Sequence, residues 1–154
     1  MNVEIVTFPL TEVAVIEHIG PTELEYQTIN QFIAWRREQN LFDPQINRNY
    51  GIHYTDPNTT PPHLQRVDFA ISIDKPIGVN RYGVTNKTIP ELRCAKAVDI
   101  GSPYNNQAII YLIKQWLPYS GEQLGDFPPI FHYVNVGPDI REEDMITEVY
   151  LPLK

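Results

Sequence analysis

Apolar and polar residues alternate with a period of two in several short runs. Residues 3–8 and 12–19 read as strands, with Pro9 in the turn between them. In the second run Val13, Val15 and Glu17 point one way, and Ala14, Ile16 and His18 the other. Gly20-Pro21 ends it, and Thr22 with Glu25 has the spacing of a capping box. The period then changes to that of a helix, predicted from about Glu23 to Gln39, with Ile29, Phe32, Ile33 and Trp35 or Arg36 on its apolar stripe. Two further strands are predicted over residues 50–54 and 65–73, separated by the turn-rich DPNTTPP run at 56–62.

The same order follows in the second half. A strand is predicted over residues 92–100, ending in Gly101-Ser102-Pro103. A helix is predicted from about Asn105 to Trp116, carrying Ile109, Leu112, Ile113 and Trp116 at i, i+3, i+4 and i+7, with Pro118 and Gly121 as stops. Residues 129–136 and 146–153 read as strands. Gly20 and Gly101, Phe32 and Ile113, Trp35 and Trp116, and Pro57 and Pro138 are each 81 residues apart. The chain holds only two tryptophans, so their match carries weight. The expectation is one α+β domain, residues 1–154. It is a duplicated β-α-β-β unit with pseudo-twofold symmetry, an antiparallel sheet with helices on one face, and a ligand groove between the halves. Repeat 1 covers about 1–74, a connector about 75–90, and repeat 2 about 91–154. Neither unit alone is large enough to bury its sheet.

Composition narrows the classes. At 154 residues and 42% hydrophobic, one domain can build a core. The net charge is -7, with 5 basic and 10 acidic residues in 1–77 and 7 basic and 9 acidic in 78–154. Neither half offers the basic face of a nucleic-acid binder. Cys94 is the single cysteine, which excludes an internal disulfide and a cysteine-rich zinc site. Residues 1–10 lack the pattern of a signal peptide and no run approaches 18 apolar residues, so a cytoplasmic protein is expected, with no membrane partner. The fourteen prolines are dispersed and read as turns.

Chemistry-bearing motifs are few. There is no GxxxxGK or GxGxxG, and His18, His53, His63 and His132 lack metal-ligand spacing, so no cofactor and no metal are expected. Mid-strand Cys94 reads as a small buried residue. Glu17, Asp68 and Glu148 lie in strands and either face solvent or enter a cleft to meet a cationic ligand. Aromatic residues recur near strand and helix ends: Trp35, Tyr54, Tyr104, Trp116, Phe131 and Tyr133 are the candidates to wall a binding site, with core packing as the alternative for the tryptophans. Phe131 and Tyr133 share a strand face, and His132 takes the opposite one.

Trp116-Leu117-Pro118-Tyr119-Ser120-Gly121, Asp126, Pro128 or Pro129, and Phe131-His132-Tyr133-Val134-Asn135 resemble the W-L-P-x-S-G … D-x-P … E-x-Y-x-N signature of the gyrase-inhibitory-protein-like family. That module also serves as the effector-binding domain of AraC-type and MerR-type transcription regulators. His18-Ile19-Gly20-Pro21, Gly51 to Tyr54 with Asp56-Pro57, Arg66-Val67-Asp68 and Thr147 to Leu153 extend the resemblance over the whole chain. It implies a stand-alone ligand-binding domain without a DNA-binding helix-turn-helix. Two positions depart. Phe131 stands where the family carries the acid that neutralises cationic drugs or takes part in hydrolysis, and Ile89-Pro90-Glu91-Leu92 replaces a frequent I-P-G-G. The leading expectation is therefore non-enzymatic binding of a small hydrophobic, aromatic or cationic molecule, with Phe131, Tyr133, Trp116, Trp35, Tyr54, Tyr104 and Glu17 as ligand-binding residues and no catalytic residue. The alternatives are a protein-binding modulator of DNA gyrase or of transcription, and a small-molecule hydrolase with a displaced acid.

Overall fold

The computed structural model describes residues 1–154. Eight strands form: β1 (Glu4–Phe8), β2 (Thr11–Ile19), β3 (Asn49–His53), β4 (Arg66–Ser72), β5 (Thr85–Ile89), β6 (Leu92–Ile100), β7 (Ile130–Tyr133) and β8 (Ile146–Pro152). Helix α1 is Glu25–Gln39; α2 (Gln107–Tyr111) and α3 (Leu117–Ser120) are joined by a π-helical turn, Leu112–Trp116. The class is α+β, and β1 with β6, β2 with β4 and β5, β3 with β4, β6 with β8 and β7 with β8 all pair antiparallel.

The chain divides into two compact units. One is the continuous segment Thr11–Ile89; the other joins Met1–Leu10 to Pro90–Lys154. In the first, β2 pairs with β4 and β5, and β4 with β3. In the second, β6 pairs with β1 and β8, and β8 with β7. The elements correspond. β1 and β5, like β2 and β6, are offset by 81 residues with equal lengths, and β4 and β8 by 80. Register follows suit: Val13 opposes Ser72 as Cys94 opposes Pro152, and Tyr50 opposes Ala70 as Ile130 opposes Tyr150. Gly20 (φ 143°) and Gly101 (φ 121°) end their strands in a backbone region that disfavours side chains. Their N–H groups donate to Gln65 O and Met145 O, each at 2.8 Å.

In the continuous unit α1 covers one sheet face. Ala14, Ile16, Val67, Phe69 and Ile71 pack with Phe32 and Trp35, the two rings stacking 5.7 Å apart. In the other unit Ala95, Ala97, Phe131, Val149, Leu151 and Leu153 meet Ala108 and Leu112. The strands are also buried on the faces away from the helices, at Val13, Val15, Ile52, Asp68, Cys94 and Ile130.

Three local expectations change. The capping box does not form: Leu24 is the N-cap of α1 without a side-chain bond, and Thr22 Oγ1 instead donates to Gln65 Oε1 at 3.4 Å. A 3-10 turn over Thr22–Leu24 occupies the residues that the box needs. Pro118 does not stop the second helix but lies inside α3, since the preceding π turn, closed by Leu117 N–H on Leu112 O, widens the backbone just before the proline. The helix ends at Gly121, with φ 75°. The segment expected as connector contains β5, which edges the β2–β4–β3 sheet.

Candidate functional site

The helix-covered face of the β1–β6–β8–β7 sheet carries two adjacent rows, set by register. Phe131, Val149 and Ala97 form the first, and Tyr133, Thr147 and Asp99 the second. Directly opposed residues in antiparallel strands hold their Cβ atoms about 5 Å apart. Phe131 is buried at 3% exposure, while Trp116 and Tyr133 are partly buried and pack on the same cluster. These three expected site residues are thus brought together. Trp116 ends the π turn, a feature frequent at functional sites because it changes which way the following side chains project.

The polar row is unusual for a helix–sheet interface. Thr147 is 2% exposed, and its Oγ1 has no hydrogen-bond partner. A buried hydroxyl without a partner costs about 1–3 kcal/mol. Beside it, both Asp99 carboxylate oxygens accept from Ala108 N–H at 2.9 and 3.1 Å, anchoring the start of α2. Burial pushes the Asp99 carboxyl up, against the opposing effect of that N–H. The sequence reading missed Thr147 and Asp99. Their signal lies in the pairing of β6 with β8, which no local pattern shows.

Glu17 and Tyr54 lie in the other unit, on the sheet face away from α1. Arg66 Nε donates to Glu17 Oε2 at 2.7 Å, both side chains being well exposed. The Arg66 guanidinium sits 4.0 Å over the Tyr54 ring. Tyr54 O–H donates to Asp68 Oδ2 at 2.8 Å, and Lys87 Nζ donates to the same oxygen at 2.6 Å. Burial, then the bond to Asp68, raises the Tyr54 phenol well above its usual range. Trp35 is 1% exposed and stacked on Phe32, so it presents no surface to a ligand. Tyr104 is 63% exposed, in the turn between β6 and α2, outside the Trp116 cluster.

The second unit has a counterpart of the Asp68 group. Glu148 Oε2 accepts from Lys96 Nζ at 2.7 Å, and Oε1 accepts from His132 Nδ1 at 2.8 Å and Tyr150 O–H at 3.2 Å. Burial alone would raise the Glu148 carboxyl, but the hydrogen bonds from Lys96 and His132 hold it below its usual range. No helix is long and apolar enough to cross a membrane.

The chain is similar to known proteins over its whole length. The probable transcriptional regulator YgiV of Escherichia coli (strain K12) is 35% identical over 154 residues, covering 99% of this chain and 96% of that protein. The DNA gyrase inhibitor of Erwinia billingiae (strain Eb661) is 25% identical over 157 residues, covering 99% and 97%. The crystal structure of the EcmrR C-terminal domain superposes with a TM-score of 0.78 at 18% identity, covering 99% of this chain and 97% of that one, a likeness of fold. A family model for the GyrI-like small molecule binding domain matches residues 1–154, and this chain belongs to that family.

Proposed function

We propose that the chain binds a small hydrophobic or aromatic molecule against Trp116 and Tyr133, as a ligand sensor or sequestering protein. The observation that carries this reading is the unpartnered Thr147 hydroxyl, which register sets directly opposite Tyr133 on the helix-covered face. Folding alone gives no reason to keep that hydroxyl, whereas a ligand polar group would complete it. Phe131 fills the place of the family acid and is buried among apolar groups, which favours a neutral ligand over a cation at this face.

The test is calorimetry of the full chain against a panel of neutral aromatic and cationic compounds. For a ligand so found, Trp116→Ala and Tyr133→Ala each lower affinity about fivefold, the equivalent of about 1 kcal/mol for one stacked ring. Unchanged affinity in both variants refutes the assignment. The names of the two relatives support a second reading, in which the acidic chain modulates a protein partner such as gyrase or a transcription complex. A supercoiling assay decides the gyrase version, and no effect at large molar excess excludes it.

A further inference from the structure

β1 and β5 are edge strands of equal length with the same order of exposed and buried residues, β1 pairing with β6 and β5 with β2. They differ in how the edge is protected. An edge strand presents backbone N–H and C=O groups that another strand can bond, and proteins blunt such edges with inward-turned charges or a covering loop. β5 has both. Lys87 turns inward to Asp68 Oδ2 at 2.6 Å. Asn86 accepts from Ile77 N–H at 2.9 Å and donates to Ile77 O at 3.0 Å, which fastens the preceding loop beside the strand. β1 has neither device. Ile5 and Val6 stand 81 positions before Asn86 and Lys87, and Ile5 is 47% exposed. The one charged side chain of β1 is Glu4, which opposes Lys96 on β6.

We propose that β1 is a dimerisation edge, to which β1 of a second copy of this chain adds antiparallel. A twofold axis normal to the sheet keeps the helix-covered faces of both copies on one side, so residues of one face oppose residues of the same face. Centred on Glu4, the pairing sets two carboxylates directly opposite and is disfavoured. Centred on Ile5, it buries the two exposed Ile5 side chains against each other, and sets Val3 against Thr7 and Glu4 against Val6. A cavity of about 280 Å³ beside the strand, lined by Met1, Asn2, Glu4, Lys96 and Val98, gives Val6 of the second copy room next to Glu4. Charge selects the same edge. A chain of net charge -7 repels its own copies, but residues 1–11 carry a single charged side chain. The interface abuts the proposed ligand-binding face through Val3, which packs on the cluster that holds Trp116 and Tyr133.

The experiment is sedimentation velocity of the full chain from micromolar to millimolar concentration, with cysteine cross-linking to read the register. The wild type is expected to pass from monomer to dimer as concentration rises. Ile5→Lys sets two like charges opposite each other and is expected to weaken the dimer by at least about tenfold. Ile5→Asn, which copies the residue of the blunted edge, reports the same loss if the lysine variant fails to fold. Thr85→Lys on the β5 edge and Ile113→Lys on the exposed helical surface are expected to leave association unchanged. In a Cys94→Ala background, Ile5→Cys is expected to form an intermolecular disulfide on mild oxidation, since opposed residues lie within reach. Thr7→Cys, which opposes Val3, is expected to form none. A monomer at every concentration overturns the proposal. So does a dimer that survives both Ile5 variants, one that is lost in Thr85→Lys or Ile113→Lys, or one in which Thr7→Cys cross-links as fast as Ile5→Cys.

Discussion

His18 and Asp99 stand at corresponding positions, each one residue before the end of its nine-residue strand, and each ties down the start of the following helix. His18 does so through both ring nitrogens, with Nδ1 2.7 Å from Thr28 Oγ1 and Nε2 3.1 Å from Pro21 O. Asp99 does so with a carboxylate on Ala108 N–H. The two units thus use different chemistry for one mechanical task, and the Asp99 version alone places a buried carboxyl beside Thr147.

The Asp99 carboxylate therefore has separable consequences. Asp99→Ala leaves Ala108 N–H unserved and is expected to cost about 1–2 kcal/mol in denaturant unfolding. Asp99→Asn keeps an acceptor and is expected to cost less. Because burial raises the folded-state pKa, the folded protein holds this proton more tightly than the unfolded chain. Stability from this group is full below the ordinary carboxyl pKa and falls as pH rises through the raised value. Asp99→Asn should remove that decline.

His53 has the opposite sign. Burial pushes its imidazole down to about 4. The unfolded chain takes up this proton near pH 6.5, before the folded protein does. The stabilisation is full above about pH 6.5 and is lost as pH falls toward 4. Denaturant titrations across that window should show a loss of about 1–3 kcal/mol in the wild type. His53→Gln should flatten that loss. An unchanged slope would place the acid sensitivity elsewhere.

Gly125 is fixed by space. Its N–H donates to Pro152 O at 2.9 Å, and a Cβ built there would lie 2.9 Å from Leu153 O. That contact is with backbone, so it cannot be relieved by rotating a side chain. Gly125→Ala is expected to destabilise by about 1–3 kcal/mol, lowering Tm by roughly 2–4 °C per kcal/mol. Gly78→Ala, with nothing within 4 Å of its Cβ, is the matched control and should change Tm little.

β2 and β4 were legible in the sequence because apolar residues recur at every second position, Ala14 and Ile16 in one and Val67, Phe69 and Ile71 in the other, although both faces of these strands are buried. β5 was not: Thr85, Asn86, Lys87 and Thr88 precede a single buried Ile89, and the strand is held at a sheet edge by pairing with β2. An 81-residue offset carries its signal, since β1 and β5 are of equal length and lie 81 residues apart. The same offset separates Trp35 from Trp116, yet their environments differ. Trp35 stacks on Phe32, whereas the residue 81 positions after Phe32 is Ile113, 40% exposed within the π turn. Sequence periodicity locates a side chain on a helix face but does not reveal such a local change of pitch. Phe131 and Tyr133 shared their predicted face, but their polar neighbours depend on cross-strand register, a tertiary property.

Thr147 gives the sharpest test of binding at the aromatic face. Its counterpart on β4 is Val67, buried at 4% in the apolar core of its unit. Valine therefore suits this place in the fold, and it replaces the hydroxyl with a methyl of similar size. Removing a buried, unpartnered hydroxyl is expected to stabilise the protein, so Thr147→Val should raise unfolding free energy by about 1 kcal/mol. If the hydroxyl serves a ligand, the same variant should lose affinity for compounds with a hydrogen-bonding group and keep it for purely apolar ones. A stabilised variant with uniformly unchanged affinities would show that Thr147 plays no part in recognition. A destabilised variant would show that the hydroxyl has a partner in the folded protein. Only gained stability together with selectively lost affinity fits a group retained for binding at the expense of folding.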